Sequence, residues 1–471
     1  MTGIRGNRTA PPVSGPPGTR GSGQLTRHPN GRVETYRGPN NTEARFHPDG
    51  RVRVVRANGM MITRSSAGVR TTVVERPGDR VIVTHGAGRG YVQRPFTVRN
   101  QTFVQRTYHV NNVARVRVYR PYVYQGGTLH AYAPVGYYSP VFYGWAHSRW
   151  RAPVYYSWGW AGSPWFGYYG GYFAPYPVYS SASLWLTDYL VAATLQEAYQ
   201  ERMAAAAAAQ ANVSFTNSAS SGQTALTPDV KQAIANEVQW QLQMERAEAQ
   251  NSLPASASNG LPLVLGDKKP HVFLVARSLD VINLTAGGQE CAITEGDVLR
   301  LNRAPPQNAD AANVMVIASK GQDCRTGSLV AVSLEDLMEM QNHMRETIDQ
   351  GLEELRSKQG QGGLPALPAA ASRAPVQAAF AAELPPPDQN VADELRRQAQ
   401  QANQAEQEVV SQASAPGASA GPATVSLGQT TDQVAAILGA PTKVVDLGAK
   451  KIFVYKDMKI IFSDGRVSDV Q

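Results

Sequence analysis

From Leu25 onward the chain alternates between apolar and polar positions. Val52 and Val54 stand against Arg51 and Arg53, and Val81 and Val83 against Arg80, so one side of each run is apolar and the other arginine-rich. A period of two in β-branched residues predicts half-buried strands. Asn30-Gly31, Asp49-Gly50 and Asn58-Gly59 punctuate the runs, and such pairs accept the positive φ that a type I′ hairpin turn requires. Residues 25–118 are therefore expected to form an Arg-rich antiparallel β-repeat region. Within it HPNGRVETYR (28–37) and HPDGRVRVVR (47–56) are two copies of one unit. Residues 1–24 are Gly, Pro, Ser, Thr and Arg with almost nothing to bury, and are expected to be disordered.

The period lengthens after residue 182. Ser183 caps a helix that runs through Leu186, Leu190, Leu195 and Tyr199 into the alanines at 204–209. Thr227-Pro228 starts a second helix, with Val230, Ile234, Val238 and Leu242 on one stripe. The span 183–250 is thus helical with an Ala-rich linker. Period two returns over 261–333, where strands are expected at 272–276, 281–284, 298–301, 314–317 and 329–332. Ser333 and Asp336 then open a helix over 334–358 whose apolar positions include Leu337, Met338, Met344, Ile348, Leu352 and Leu355. Residues 359–423, rich in Ala, Pro and Gln with one polar helical stretch near 391–410, read as a linker, and 424–471 as a closing unit.

Composition changes this picture in two places. Gly and Pro number 42 and 31 in 471 residues and concentrate in stretches that bury little, which points to small folded units joined by long disordered linkers. Of the 38 aromatic residues, 24 fall between 119 and 189, where residues 119–182 form a Tyr/Trp/Gly/Pro-rich region. The run Tyr155, Tyr156, Trp158, Trp160, Trp165, Phe166, Tyr168, Tyr169, Tyr172, Phe173 is too interrupted for a helix or regular strand. Two readings stand: the rings pack on the preceding sheet, or they form an adhesive surface.

Charge adds a polarity along the chain. Residues 1–120 hold 21 Arg, no Lys and 5 acidic residues, a balance of +16, whereas the whole chain carries +8. A basic front points either to an anionic partner such as nucleic acid, acidic glycan or lipid headgroups, or to arginine that simply solubilises exposed strands. Cys291 and Cys324 are the two cysteines; if the chain is exported they can close a 33-residue loop, and if cytosolic they are buried thiols. No apolar run approaches the ~18 residues of a membrane span. The start, MTGIRGNRTAPP, lacks the apolar stretch of a signal peptide, and we read it as lying downstream of one.

In the closing unit, Thr430 with Gln433 forms a capping box, and Val434, Ile437 and Leu438 face one way before Gly439 and Pro441 stop the helix. Strands follow at 444–445, 452–455 and 458–462, with Asp464-Gly465 as a turn before Val467. The residues Leu427 to Val434, then Leu438-Gly439-Ala440-Pro441, and later Tyr455 and Phe462-Ser463-Asp464-Gly465-Arg466-Val467, resemble the SmpA/OmlA family, the BamE-like domain of small outer-membrane lipoproteins. That resemblance covers about a tenth of the chain. It implies an envelope setting and a binding role without catalysis. The 261–333 unit, with the turn Glu295-Gly296-Asp297, is similar to SH3-like barrels. The N-terminal repeats resemble the tyrosine-aspartate (YD) repeats of large bacterial surface proteins, without the Tyr-Asp pair itself.

Reactive chemistry is sparse. The eight histidines are scattered without H-x-x-x-H or Cys pairing, so no metal is expected, and His28 and His47 are read as turn residues. No nucleophile elbow or Walker loop is present, Gly86 to Gly90 read as a flexible turn, and no cofactor is expected. Glu335, Asp336, Glu339, Glu353 and Glu354 read as solvated helix faces. The fold class is accordingly α+β and multi-domain, with N-terminal β repeats, a central SH3-like unit with flanking helices and a C-terminal helix on an antiparallel sheet. The function expected is a non-catalytic structural or interaction protein of the periplasm, outer membrane or cell surface, whose partner is an envelope protein or anionic glycan. Its candidate contacts are Arg51, Arg53, Tyr156, Trp158 and Trp160. The alternative is a cytoplasmic nucleic-acid binder using the basic front.

Overall fold

The computed structural model describes residues 23–65, 68–85, 89–110, 113–124, 126–208, 225–251, 264–265, 269–306, 308–321, 323–414, 419–420, 429–438, 441–446, 450–455, 458–463 and 465–470. The expectations for residues 1–22, for 86–88 and for 427–428, 439–440 and 464 lie outside the described residues. The protein is mixed α and β with several antiparallel sheets, and it divides into two compact units: Met1–Asn58 with Gln404–Gln471, and Gly59–Asn403.

The smaller unit opens with a meander of β1 (Gln24–Arg27), β2 (Val33–Arg37), β3 (Glu43–Phe46) and β4 (Val52–Ala57). The two repeat copies fold alike. The amide of Gly31 donates to His28 O and that of Gly50 to His47 O, each at 2.8 Å, and the Asn30 and Asp49 side chains accept from the amides of Arg32 and Arg51 at 3.0 and 2.8 Å. Only the glycine of each pair has positive φ, 81° at Gly31 and 87° at Gly50. These hairpins are therefore type I turns followed by a left-handed glycine, with a bulge in the adjoining strand, and not the two-residue type I′ turns expected. The His28 ring meets Phe46 O at 2.9 Å, tying one copy to the next.

The larger unit continues with a second meander: β5 (Met60–Arg64), β6 (Arg70–Arg76), β7 (Arg80–His85), β8 (Arg89–Val98), β9 (Gln101–Val110), β10 (Val113–Tyr124) and β11 (Gly127–Tyr132). Next come β12 (Gly136–Tyr137), α1 (Pro140–His147), β13 (Arg149–Val154), α2 (Pro164–Tyr169), β14 (Tyr179–Ser181), α3 (Ala182–Ala208) and α4 (Pro228–Asn251). The aromatic stretch thus contains helices, against expectation. Pro at the first position of α1 and α2 fixes φ where no amide partner is needed, and Ser139 caps α1 by accepting from Phe142 N. Its rings make the main core, where Trp185, Tyr143, Tyr169, Tyr172, Tyr179, Phe142 and Phe173 are fully buried with the stripe Val230, Ile234, Val238, Leu242 of α4.

A six-stranded antiparallel sheet follows, built from β15 (His271–Leu274), β16 (Leu279–Asn283), β17 (Gln289–Ile293), β18 (Val298–Leu301), β19 (Ala311–Ala318) and β20 (Leu329–Ser333) in the order 15-18-19-20-16-17. β17 was not foreseen. Gly296, at φ 86°, makes the turn before β18, and a Cβ there would lie 2.7 Å from Leu195 Cδ2. α5 (Leu334–Ser357) is capped by Ser333, whose Oγ accepts from Asp336 N at 3.0 Å.

Residues 359–403 do not behave as the linker expected. Leu364, Leu367 and Ala371 join the main core, Phe380 packs with Val98, Phe103 and Val118, and Val376–Gln377 (β21) pairs with β12. The helix α6 (Val391–Ser414) follows, and Val391, Leu395 and Ala399 are buried. Small apolar residues at helical spacing supplied a face that the Ala/Gln composition concealed. In the smaller unit, β22 (Ser419–Ala420) runs parallel to β1, and α7 (Thr431–Leu438) lies with the meander β23 (Lys443–Asp446), β24 (Lys450–Val454), β25 (Lys459–Ser463) and β26 (Arg466–Val470) around Val434, Phe453, Ile460, Phe462 and Val467.

Candidate functional site

The β5–β11 meander carries arginines on both faces, and the chain's own acids meet them. On one face Arg80 pairs with Glu394 at 2.6 Å, Arg94 with Asp388 at 3.6 Å and Arg76 with Gln398 at 3.0 Å. On the other, strand register aligns Gln93, Arg106 and Arg117 in one cross-strand row and Tyr91, Tyr108 and Arg115 in the next. α5 lies against this second face. Glu339, His343, Glu346 and Gln350 recur at spacings of four, three and four, which puts them on one side of the helix, while Met344, Ile348, Leu352 and Leu355 pack into the core.

Arg106, 3 % exposed, is the anchor. Its guanidinium grips Glu339 with two bonds of 2.9 Å and Gln93 with one of 2.8 Å, and lies 4.1 Å from the Tyr119 ring centre and 4.6 Å from that of Tyr91. Burial pushes the Glu339 carboxyl up, but Arg106 outweighs it and holds the group below its ordinary range. The glutamate read as part of a solvated face is thus the partner of a buried arginine. Tyr119 shares a hydrogen bond of 2.8 Å with Tyr108 and donates to Glu346. Burial lifts Glu346 to about 7, opposed by Arg117 at 3.8 Å and by Tyr119.

Between this face, α3 and α5 lies a polar cleft of about 440 Å³. Arg89, Arg115 and Arg117 enter from the strands, Tyr189, Gln196, Glu197 and Glu201 from α3, and His343, Glu346 and Gln350 from α5. Arg89 donates to Gln200 at 3.2 Å, and His343 meets Thr194 Oγ1 at 2.9 Å. Burial, reinforced by Glu197, raises Glu201 to about 7. Burial, with Arg277 adding to it, takes His85 down to about 3. The cleft therefore offers carboxyls that exchange protons near neutrality, arginine forks and amides. Among the described residues no three His, Cys, Asp or Glu side chains gather to hold a metal ion.

The sequence-predicted contacts are divided between the units. Arg51, exposed and paired with Asp49 at 2.6 Å, and the half-buried Arg53 belong to the smaller unit. Tyr156, Trp158 and Trp160 belong to the larger, where they are half-buried and packed against the core. Trp158 lies between Trp160 at 5.3 Å and Trp185 at 4.8 Å, and its Nε1 donates to Tyr179 at 2.7 Å. The structure brings these three rings together and leaves part of each open. Sequence reasoning missed the cleft; the polar spacing 339, 343, 346, 350 opposite the apolar stripe of α5 was its only trace. Cys291 and Cys324 form a disulfide, both buried at the end of the six-stranded sheet. Comparison with known proteins yields no family model, curated protein or solved structure that matches the chain.

Proposed function

We propose that the protein is an exported, non-catalytic scaffold of a bacterial cell envelope that binds a glycan or an envelope protein. The Cys291–Cys324 bond carries this reading, because a buried disulfide with no other cysteine in the chain suits an oxidising compartment. The BamE-like identity of the C-terminal helix and four-stranded sheet, and the SH3-like identity of the central sheet, belong to the same proposal and agree with it. Four of the 21 arginines of residues 1–120, Arg80, Arg94, Arg106 and Arg117, pair with internal carboxylates and are not offered to a polyanion, which favours this reading over a nucleic-acid binder. The half-open ring cluster of Tyr156, set edge-on to Trp158, and Trp160, stacked on Trp158, is the surface proposed for sugar rings.

Fractionation of the source cells tests the compartment. Recovery with the envelope or periplasm is the expected result, and recovery with soluble cytoplasmic proteins contradicts it. Trp158→Ala is expected to weaken retention on purified wall glycan; retention equal to wild type removes the cluster as a site.

A further inference from the structure

Charges of both signs are interleaved along the cleft of the larger unit. Arg117 pairs with Glu346 at 3.8 Å and Arg277 with Asp336 at 3.6 Å, while Arg89 and Arg277 both act against the rise of Glu201. Four arginines and five acidic residues line the space, and Arg106 behind Glu339 brings the formal count to five of each. A ligand with a net charge therefore meets its own sign as well as the opposite one. Among the described residues no hydrogen bond or ion pair holds Arg115, Gln196, Glu197, Glu201 or Gln350, so these groups are open to a ligand. Arg115, Gln196 and Glu197 are exposed, and Glu201 and Gln350 are half-buried. Tyr91, Tyr108 and Tyr189, also half-buried, line the same space.

We propose that this cleft binds a short uncharged oligosaccharide. A hydroxyl both donates and accepts, so a sugar answers guanidinium, carboxylate and carboxamide groups alike without bringing a charge of its own. Neighbouring hydroxyls on a ring meet the forked ends of Arg115, Gln196, Glu197 and Gln350 two at a time, and bonds to the charged forks are the stronger ones. The tyrosines offer ring surface to the apolar C–H faces of a sugar. An uncharged peptide, with one donor and one acceptor per residue on its backbone, answers fewer of these groups in the same volume. A cavity of about 440 Å³ is within the ~300–1,000 Å³ range of small-ligand sites and suits a few sugar rings. None of Tyr156, Trp158 and Trp160 lines the cleft, so it is a second site whose occupancy depends neither on that ring cluster nor on the compartment.

Calorimetry on the full chain tests it with three uncharged trisaccharides, maltotriose, cellotriose and chitotriose, and two charged ones, trigalacturonate and the glucosamine trimer with its amines protonated. At least one uncharged sugar is expected to bind one to one and at least ~10-fold more tightly than either charged trimer. Its affinity should be the same at ~0.05 M and ~0.5 M salt, because screening acts on charged ligands. Arg115→Ala and Glu197→Ala, both at exposed positions, should each weaken that binding at least ~10-fold, as expected for loss of a charge-assisted bond. An unchanged unfolding midpoint shows that each variant keeps the fold. Absence of saturable binding by all three uncharged sugars up to ~10 mM, well beyond the millimolar range of weak recognition, overturns the proposal. So does a charged trimer that binds as tightly, or wild-type affinity in either variant.

Discussion

Asp188 shows how a single polar residue in an apolar run is explained by its surroundings. In sequence it merely interrupts the stretch from Leu184 to Leu195. In the fold it is fully buried, pairs with Lys231 Nζ at 2.6 Å and accepts from Tyr179 at 2.7 Å, while Lys231 sits 3.6 Å from the Tyr176 ring centre. Burial pushes the Asp188 carboxyl up and the Lys231 ammonium down, and each partner partly restores the other. Asp188→Ala leaves a buried ammonium unpaired and is expected to cost about 3–5 kcal/mol in urea unfolding, whereas adding Lys231→Met to it should recover most of the loss. Glu346 gives a residue-scale pH prediction. Its carboxyl is raised from 4.5 to about 7, so between those values the folded state holds a proton that the unfolded state has released, and stability falls as pH rises through the window. The groups around it are Arg117, Arg106 and Tyr119 from the strands and Glu339 from its own helix. Glu346→Gln should therefore gain stability relative to wild type by up to about 3 kcal/mol between pH 4.5 and 8. The difference between the two proteins is the quantity to measure, because His85, lowered to about 3, destabilises the fold as pH falls below 6.5 and acts in the opposite sense.

At the scale of elements, α5 joins the meander to the core. One side carries the apolar stripe that sequence periodicity revealed, and the other carries Glu339 and Glu346 against arginine and tyrosine. Glu339→Ala strands the Arg106 guanidinium and is expected to cost about 3–5 kcal/mol, against about 1 kcal/mol for removing the helix cap by Ser333→Ala; equilibrium denaturation of both variants checks the ranking. The stripe, the cap and the strand positions were legible because they are local in sequence. The cleft was not, since its walls come from residues as far apart as Arg89 and Gln350, and only long-range pairing brings them together. The aromatic stretch was misread for a different reason. Gly and Pro mark breaks between its elements, and a proline that opens a helix looks the same in sequence as one that prevents it.

Over the whole molecule, the basic front and the acidic rear meet each other within the larger unit. Part of a charge asymmetry that in sequence pointed outward to a polyanion is met by Asp388, Glu394, Glu339 and Glu346, which pair with Arg80, Arg94, Arg106 and Arg117. Composition records how many charges a segment carries and not what faces them, so this redistribution had no sequence signal. The disulfide acts at the same scale. It closes a 33-residue loop, and the loop-entropy relation gives about 4 kcal/mol for a loop of that length. Cys291→Ser should lower stability by about that amount in a denaturant titration, with wild type under reductant behaving like the variant. The most direct test of an exported, cross-braced scaffold is the thiol state of the native protein, trapped by acid quenching and alkylated before any reduction. The account predicts that Cys291 and Cys324 take up no label until reductant is added and one label each afterwards; two labels without reduction would contradict it.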